Sequence, residues 1–170
     1  SRLCIMNAVV GGRAPSNPVR DSPWFQWVNS AAFEPTVRNL GATALSVMKR
    51  VGFERTAHVD ETWVRAYSAA FPTPESCEAA IRFPQCIASR DTIDFLKSIR
   101  TADATAALRD KLAMYVSGDA DRAIPPEFGI GCFRDLWPNG PVTRLPGVGH
   151  FLQEDAPETV GALIGQFVQM

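Results

Sequence analysis

Several common functional signatures are missing from this sequence. No apolar run approaches the roughly 18 residues that a membrane-spanning helix needs. The net charge of -1 comes without a basic stripe, so we expect no nucleic-acid partner. The four cysteines lack C-x-x-C spacing, which predicts reduced thiols, no metal or cofactor site and a cytoplasmic location. The composition, 46% apolar and 21% charged, is typical of a globular domain with a buried core.

The nucleophile motif of serine hydrolases, G-x-S-x-G, is also absent. Ser117 follows a strand-like run, but its context is Y-V-S-G-D, without the preceding glycine. Only two histidines are present, and His58 lies in a polar stretch where we expect it to be solvated. His150 is therefore the main candidate for a catalytic base.

Two short runs combine apolar strands with acidic and histidine residues. The first, K-L-A-M-Y-V-S-G-D-A-D, covers 111–121, and the second, L-P-G-V-G-H-F-L-Q-E-D, covers 145–155. An acid after one strand and a histidine after a later one is the order of the last two triad members in α/β hydrolases. The runs leave either Asp119 or Asp121 as the acid. Room for one helix and one strand between acid and histidine would bring both to the same sheet edge.

The rest of the chain predicts an α/β fold with an all-helical insertion. Arg2–Val10 is a continuous apolar run, typical of a strand buried on both faces of a parallel sheet. Further strands are predicted at Lys111–Ser117 and Val142–Leu145. Helices are predicted from Ser22, over 39–51, from Asp60, from Thr73, over 92–100 and 126–136, and from an Asp155–Glu158 capping box. We divide the chain into a core strand and hinge (1–16), a helical cap (17–103) and a core portion (104–170).

Four segments resemble haloalkane dehalogenases, a branch of the α/β-hydrolase superfamily. G-D-A-D-R at 118–122 and G-V-G-H-F-L-Q-E-D-A-P-E at 147–158 resemble that family's acid and histidine segments, and F-P-T-P-E at 71–75 and R-F-P-Q-C-I at 82–87 resemble its cap. Nothing resembles the family's first half. We therefore expect the C-terminal portion of an α/β-hydrolase fold with an incomplete parallel sheet, a fragment or processed product whose partner is the missing N-terminal half.

The resemblance implies a role for individual residues. The family's pattern puts the acid three residues after the glycine, which selects Asp121, with Asp119 as the alternative and His150 as the base. We expect Asp121 and His150 to be about 2.6–3.2 Å apart. Some branches of the family place the acid just after the strand equivalent to 2–10, but this chain has Asn7 within that strand and Gly11-Gly12 after it, and the lack of a carboxylate there supports Asp121. Trp27 is similar in position to the halide-binding cap tryptophan, with Trp24 as its rival, and the residues carried over as pocket wall are Phe83, Pro84, Ile87 and Ile124.

The implied activity is cleavage of a carbon–halogen bond in a small apolar substrate. In that family an aspartate forms an alkyl ester, which a histidine-activated water then hydrolyses. This chain would supply base, acid and cap, but not the nucleophile. The alternatives are an epoxide hydrolase or another ester or lactone hydrolase, and a catalytically inactive fragment or interaction scaffold. Tyr67 is the only tyrosine predicted in the cap, which weighs against an epoxide, since two would favour one.

Overall fold

A computed structural model describes residues 1–10, 22–40, 52–57, 59–87, 90–99 and 102–170. Its sheet has three parallel strands in the order β1-β2-β3: β1 (Arg2–Met6), β2 (Leu112–Gly118) and β3 (Val142–Leu145). Cys4 pairs with Met114, and Tyr115 pairs with Val142. Because all strands run the same way, their carboxyl ends lie at one edge of the sheet.

Helices occupy most of the remaining chain. In chain order they are α1 (Pro23–Val28), α2 (Phe33–Leu40), α3 (Glu61–Ser68), a 3-10 turn (Pro74–Cys77), α4 (Glu78–Cys86), α5 (Arg90–Ile99), α6 (Ala102–Arg109), α7 (Pro126–Leu136), α8 (Leu152–Asp155) and α9 (Pro157–Gln169). Within the described residues, no helix is long and apolar enough to cross a membrane. The predictions for α7 and for the short strand β3 are confirmed.

The first strand differs from its prediction. It ends at Met6, because Asn7 takes a positive φ of 39°, a left-handed conformation that breaks the extended backbone and that asparagine tolerates well. The predicted burial on both faces is wrong for the described sheet. Leu3 to Met6 are half-buried, and β1 pairs with β2 alone, so that β2 is the central strand.

The two faces of β2 pack against different helices. Met114 and Val116 contact the α9 side, where Val160 and Phe167 lie. Ala113, Tyr115, Ile130 and Phe133 form the core on the α7 side. Side chains alternate between the faces along a strand, which explains why neighbouring residues of β2 belong to separate clusters.

The start of α9 corrects the predicted capping box. Pro157 lies in the first turn as expected, but the N-cap is Ala156 and no side chain caps the helix. Asp155 ends α8 instead, and its carboxylate accepts hydrogen bonds from other parts of the chain.

The described helices between residues 22 and 99, called the helical layer below, have a small core of their own. The fully buried side chains of this core are Val28, Phe33, Val37, Cys77 and Ile81. The predicted helix starts are confirmed by side-chain caps at Ser22, Asp60 and Thr73. The prediction over 39–51 covers the end of α2, and its part over 41–51 lies outside the described residues. Residues 11–16 of the predicted hinge and His58 also lie outside them. The pattern did not predict most of α2, or α6.

Candidate active site

The acid and base candidates meet at the carboxyl edge of the sheet. Asp121 follows β2, and His150 follows β3. The Nδ1 of His150 lies 2.9 Å from the Oδ2 of Asp121, which confirms the predicted separation. The Asp121 side chain is completely buried, whereas 24% of the histidine side chain is exposed. A carboxylate oxygen accepts here, so the Nδ1–H donates, and Nε2 is left as the nitrogen that can take a proton.

Local main chain holds the Asp121 carboxylate in place. Its Oδ1 accepts the backbone N–H groups of Ala123 at 2.7 Å and Ile124 at 2.9 Å. Two fixed donors on one oxygen leave the other oxygen directed at His150. The carboxylate is therefore held in one orientation before any substrate arrives, as the acid of an acid–histidine pair must be.

The loop after β2 that carries Asp121, the acid loop, and the loop after β3 that carries His150, the histidine loop, also contact each other directly. The N–H of Ala120 donates to the Val148 carbonyl at 3.0 Å. A Cβ built on Gly118 would lie 2.3 Å from that same carbonyl oxygen, so only glycine fits this approach. Asp119, the alternative acid, plays a different role. It accepts the N–H of Gly147 at 2.6 Å and holds the turn before His150.

Asn7 joins both loops, a role that the sequence did not reveal. Its Nδ2 donates to the carbonyls of Gly149 at 2.8 Å and His150 at 2.9 Å. Its Oδ1 accepts the N–H of Gly118 at 2.9 Å. The residue is 4% exposed, so this buried amide ties β1 to the ends of β2 and of the histidine loop. The sequence carried one signal for this role, an amide side chain in an otherwise apolar strand, because a buried polar group needs hydrogen-bond partners.

Two acidic residues of α8, shortly after His150, bond to other parts of the chain. Glu154 accepts the Nε1–H of Trp63 at 2.7 Å and the hydroxyl of Tyr67, both on α3. The hydrogen bond between Tyr67 and Glu154 is the largest cause that raises the pKa of Tyr67 to about 12, and burial of the hydroxyl is the next largest. Asp155 is buried and accepts backbone N–H groups, including that of Gly149. Neither role could be read from the sequence, because their partners are distant in the chain.

The structure brings only some of the predicted pocket residues to this pair. Ile124 is half-buried beside Asp121. Pro84 is buried within α4, while Phe83 is 74% exposed and Ile87 is 40% exposed, so their contribution to a pocket stays a prediction.

The two rival tryptophans pack on the small core of the helical layer. Trp27 contacts Phe33 edge to face, with a centroid distance of 4.9 Å. The indole Nε1 of Trp24 is buried and has no hydrogen-bond partner among the described residues. That one of these indoles binds a leaving group stays a prediction.

The geometry also bears on nucleophile and metal chemistry. Ser117 is buried in β2, and its hydroxyl has no hydrogen-bond partner within the described part of the chain. It therefore lacks the serine–histidine bond of a serine hydrolase. In the same described ranges, no group of three histidine, cysteine or acidic residues could hold a metal ion.

The fold has close counterparts among solved structures, although no family model matches the sequence. A haloalkane dehalogenase from Bradyrhizobium elkanii is 22% identical with a TM-score of 0.71, over 99% of this chain and 58% of its own. An ancestral haloalkane dehalogenase is 22% identical (TM-score 0.69; 99% and 59% coverage). An α/β hydrolase fold protein from Burkholderia ambifaria is 24% identical (TM-score 0.54; 96% and 56%).

These similarities establish the fold. Nearly the whole chain matches part of an α/β-hydrolase fold, with three parallel strands and accompanying helices. It spans 56% to 59% of the length of these three structures. At such identities, activity has to be argued from the site itself.

Proposed function

We propose that this chain supplies the acid–base pair and the cap of a haloalkane dehalogenase-like hydrolase. The observation that carries the proposal is the pair of Asp121 and His150, 2.9 Å apart at the strand ends, with the carboxylate buried and the imidazole partly exposed. Such a pair is suited to activating a water, because the carboxylate orients the ring and stabilises the imidazolium that forms.

The reaction has two steps, and this chain acts chiefly in the second. An aspartate from outside this chain attacks the carbon that bears the halogen, forms an alkyl ester and releases halide. His150 Nε2 then takes a proton from water as the water oxygen attacks the ester carbonyl. The alcohol leaves, the aspartate carboxylate is regenerated, and His150 returns its proton to solvent. The sum is alkyl halide plus water giving alcohol, halide and a proton.

The cap would provide the halide site and the apolar wall. We assign halide binding to Trp27, with Trp24 as the rival whose buried indole N–H is a spare donor among the described residues. Indole donors suit a halide, which is poorly solvated in an apolar pocket. Phe83, Pro84, Ile87 and Ile124 are proposed as pocket wall, in a protein that acts on a small halogenated substrate in the cytoplasm.

The proposal requires a nucleophile that comes from a partner segment, the N-terminal half of the same fold. In the described sheet, β1 is paired on one side only, so its other edge can accept a further parallel strand. The partial coverage of the similar structures, 58% of the dehalogenase from Bradyrhizobium elkanii, supports the same view.

An epoxide hydrolase or another ester or lactone hydrolase would use the same acid–base pair. Against the epoxide hydrolase stands the environment of Tyr67, whose hydroxyl donates to Glu154 and whose raised pKa of about 12 makes it a poor proton donor to an epoxide oxygen. No comparable observation weighs against esters or lactones, so these remain the second candidate.

The test is the replacement His150→Gln in the full-length protein, with His58→Gln as the matched control. A general base contributes about 10²- to 10⁴-fold, so H150Q should lose turnover by at least about 100-fold. The first step needs no base, and the variant should therefore release about one halide per protein and retain the alkyl group, visible as added mass. H58Q should turn over like the wild type.

The substrates separate the alternatives. Bromoalkane, epoxide and aryl ester are offered to the wild type in parallel, and halide or alcohol release is measured. Turnover of the ester alone would replace the dehalogenase proposal by the ester hydrolase. No turnover of any of them would support an inactive scaffold. Full activity in H150Q would overturn His150 as the general base.

A further inference from the structure

One buried carboxylate connects the histidine loop to a segment within the cap that precedes α3. Asp155 is 3% exposed and accepts the backbone N–H of Gly149 at 2.6 Å through Oδ2. Its Oδ1 accepts the N–H of Glu54 at 2.9 Å and of Arg55 at 2.7 Å. Three main-chain donors from two distant segments thus converge on one side chain.

The linker segment, residues 52–55, makes further contacts with both catalytic loops. The N–H of Phe151 donates to the Gly52 carbonyl at 3.2 Å. A Cβ on Gly149 would lie 2.2 Å from the same carbonyl oxygen, so the two backbones are in close contact there. Glu54 also forms an ion pair with Arg122, the neighbour of Asp121. The linker segment therefore contacts the neighbour of Asp121 as well as the neighbours of His150.

The position of Gly149 explains why these bonds matter for chemistry. Its peptide directly precedes His150, so the orientation of that peptide sets the position and direction in which the His150 side chain leaves the main chain. A general base must reach its proton within hydrogen-bond distance, and a misplacement of 1 Å can cost about 100-fold in rate. Hydrogen bonds to a carboxylate are among the strongest that hold a main chain in place.

We propose that Asp155 is a positioning residue for His150, fixing the Gly149–His150 peptide to the linker segment so that cap placement sets the position of the base. The inference rests on the proposed function for its kinetic consequence, but its structural part concerns His150 alone. Asp155 acts through the main chain and does not contact a reacting atom.

The test compares Asp155→Asn with Glu154→Gln in the full-length protein. Both changes remove one carboxylate from α8, but Glu154 binds the side chains of Trp63 and Tyr67 instead of the histidine loop. One readout is the proton resonance of the His150 Nδ1–H in protein labelled with ¹⁵N-histidine, assigned with H150Q. The other is turnover of the bromoalkane, resolved into kcat and KM.

We expect D155N to shift or broaden the Nδ1–H resonance and to lower kcat about 10- to 100-fold with KM little changed. E154Q should leave the resonance in place. If D155N lowers the unfolding midpoint but matches E154Q in resonance and kcat, Asp155 is merely structural. If no variant turns over substrate while D155N still moves the resonance, the proposed function fails and the positioning role stands.

A second measurement covers the case in which D155N does not fold. In the wild-type protein, the amides of Gly149, Glu54 and Arg55 should exchange with solvent deuterium as one set, because one carboxylate holds all three. Exchange of the Glu54 and Arg55 amides more than about 10-fold faster than that of Gly149 would overturn the proposed coupling.

Discussion

The strand-end edge and the helical layer are held together in different ways. At the edge, Asn7, Asp121 and Asp155 are buried, and each binds main-chain groups at fixed distances. In the described helical layer, polar contacts include exposed ion pairs such as that of Arg82 with Glu78. Buried bonds to main chain define one geometry, whereas exposed pairs contribute little and rearrange easily. The strand-end edge is thus held in one geometry, whereas the exposed pairs of the helical layer restrict its geometry less.

The largest effect is expected from Gly118→Ala. The new Cβ would lie 2.3 Å from the Val148 carbonyl oxygen and 2.5 Å from that of Gly149, both main-chain atoms that cannot turn aside. We expect a loss of more than about 3 kcal/mol in the free energy of unfolding. Gly165→Ala in α9 is the control, since nothing lies within 4 Å of its added Cβ, and it should stabilise by about 0.5–1 kcal/mol. Denaturant unfolding measures both, and equal effects would contradict the tight contact.

Asn7→Ala should follow, with a loss of about 2–3 kcal/mol. It leaves buried groups of Gly118 and Gly149 without their partner, each at a cost of about 1–3 kcal/mol. Asn7→Gly keeps the left-handed conformation and removes only the hydrogen bonds, so the difference between the two variants isolates the backbone strain. Asn29→Ala removes an exposed side-chain bond to Phe25 and should cost much less. An N7A protein as stable as N29A would show that the amide does not hold the loops.

A smaller effect concerns the contact between the layer and the edge at alkaline pH. The folded pKa of Tyr67 is about 12, above the usual value near 10, so the stability from its bond to Glu154 is complete below pH 10 and is lost between pH 10 and 12. Glu154→Gln should return the pKa of Tyr67 toward its usual value. It should leave Tyr115 unchanged, because burial raises that pKa to about 12. Phenolate absorbance reports both tyrosines, and two unshifted transitions in E154Q would contradict the assignment.

The smallest effect is expected for Arg38→Gln in the helical layer. Arg38 pairs with Glu34 and Glu78 at the partly exposed surface of this layer, where such pairs contribute little to the free energy of unfolding. The loss should shrink further in high salt, because mobile ions screen exposed charges. Thermal unfolding at two salt concentrations measures this. A loss as large as that of N7A would remove the contrast between the two regions.

Much of the core could be predicted from local pattern, and much of the cap could not. The strand, turn and helix signals around 111–167 rest on short-range rules, which is why β2, β3, α7 and α9 lie close to their predicted bounds. The capping box at Asp155 failed because its carboxylate has better partners 100 residues away, at Glu54 and Arg55. In the cap, most of α2 was not predicted, and apolar residues such as Phe83 are exposed, so burial there depends on which elements pack together.

The sequence by itself determined which residues can do the chemistry and in what order they follow their strands. Parallel strands put the residues after them at one edge, and this alone brings Asp121 and His150 together. Only the tertiary structure decided what holds that pair in register. Asn7 meets Gly149 across 142 positions of the chain, and Asp155 meets Glu54 across 101. Partners at such separations are selected by packing and burial, because a buried polar group bonds whatever donor the fold brings to it.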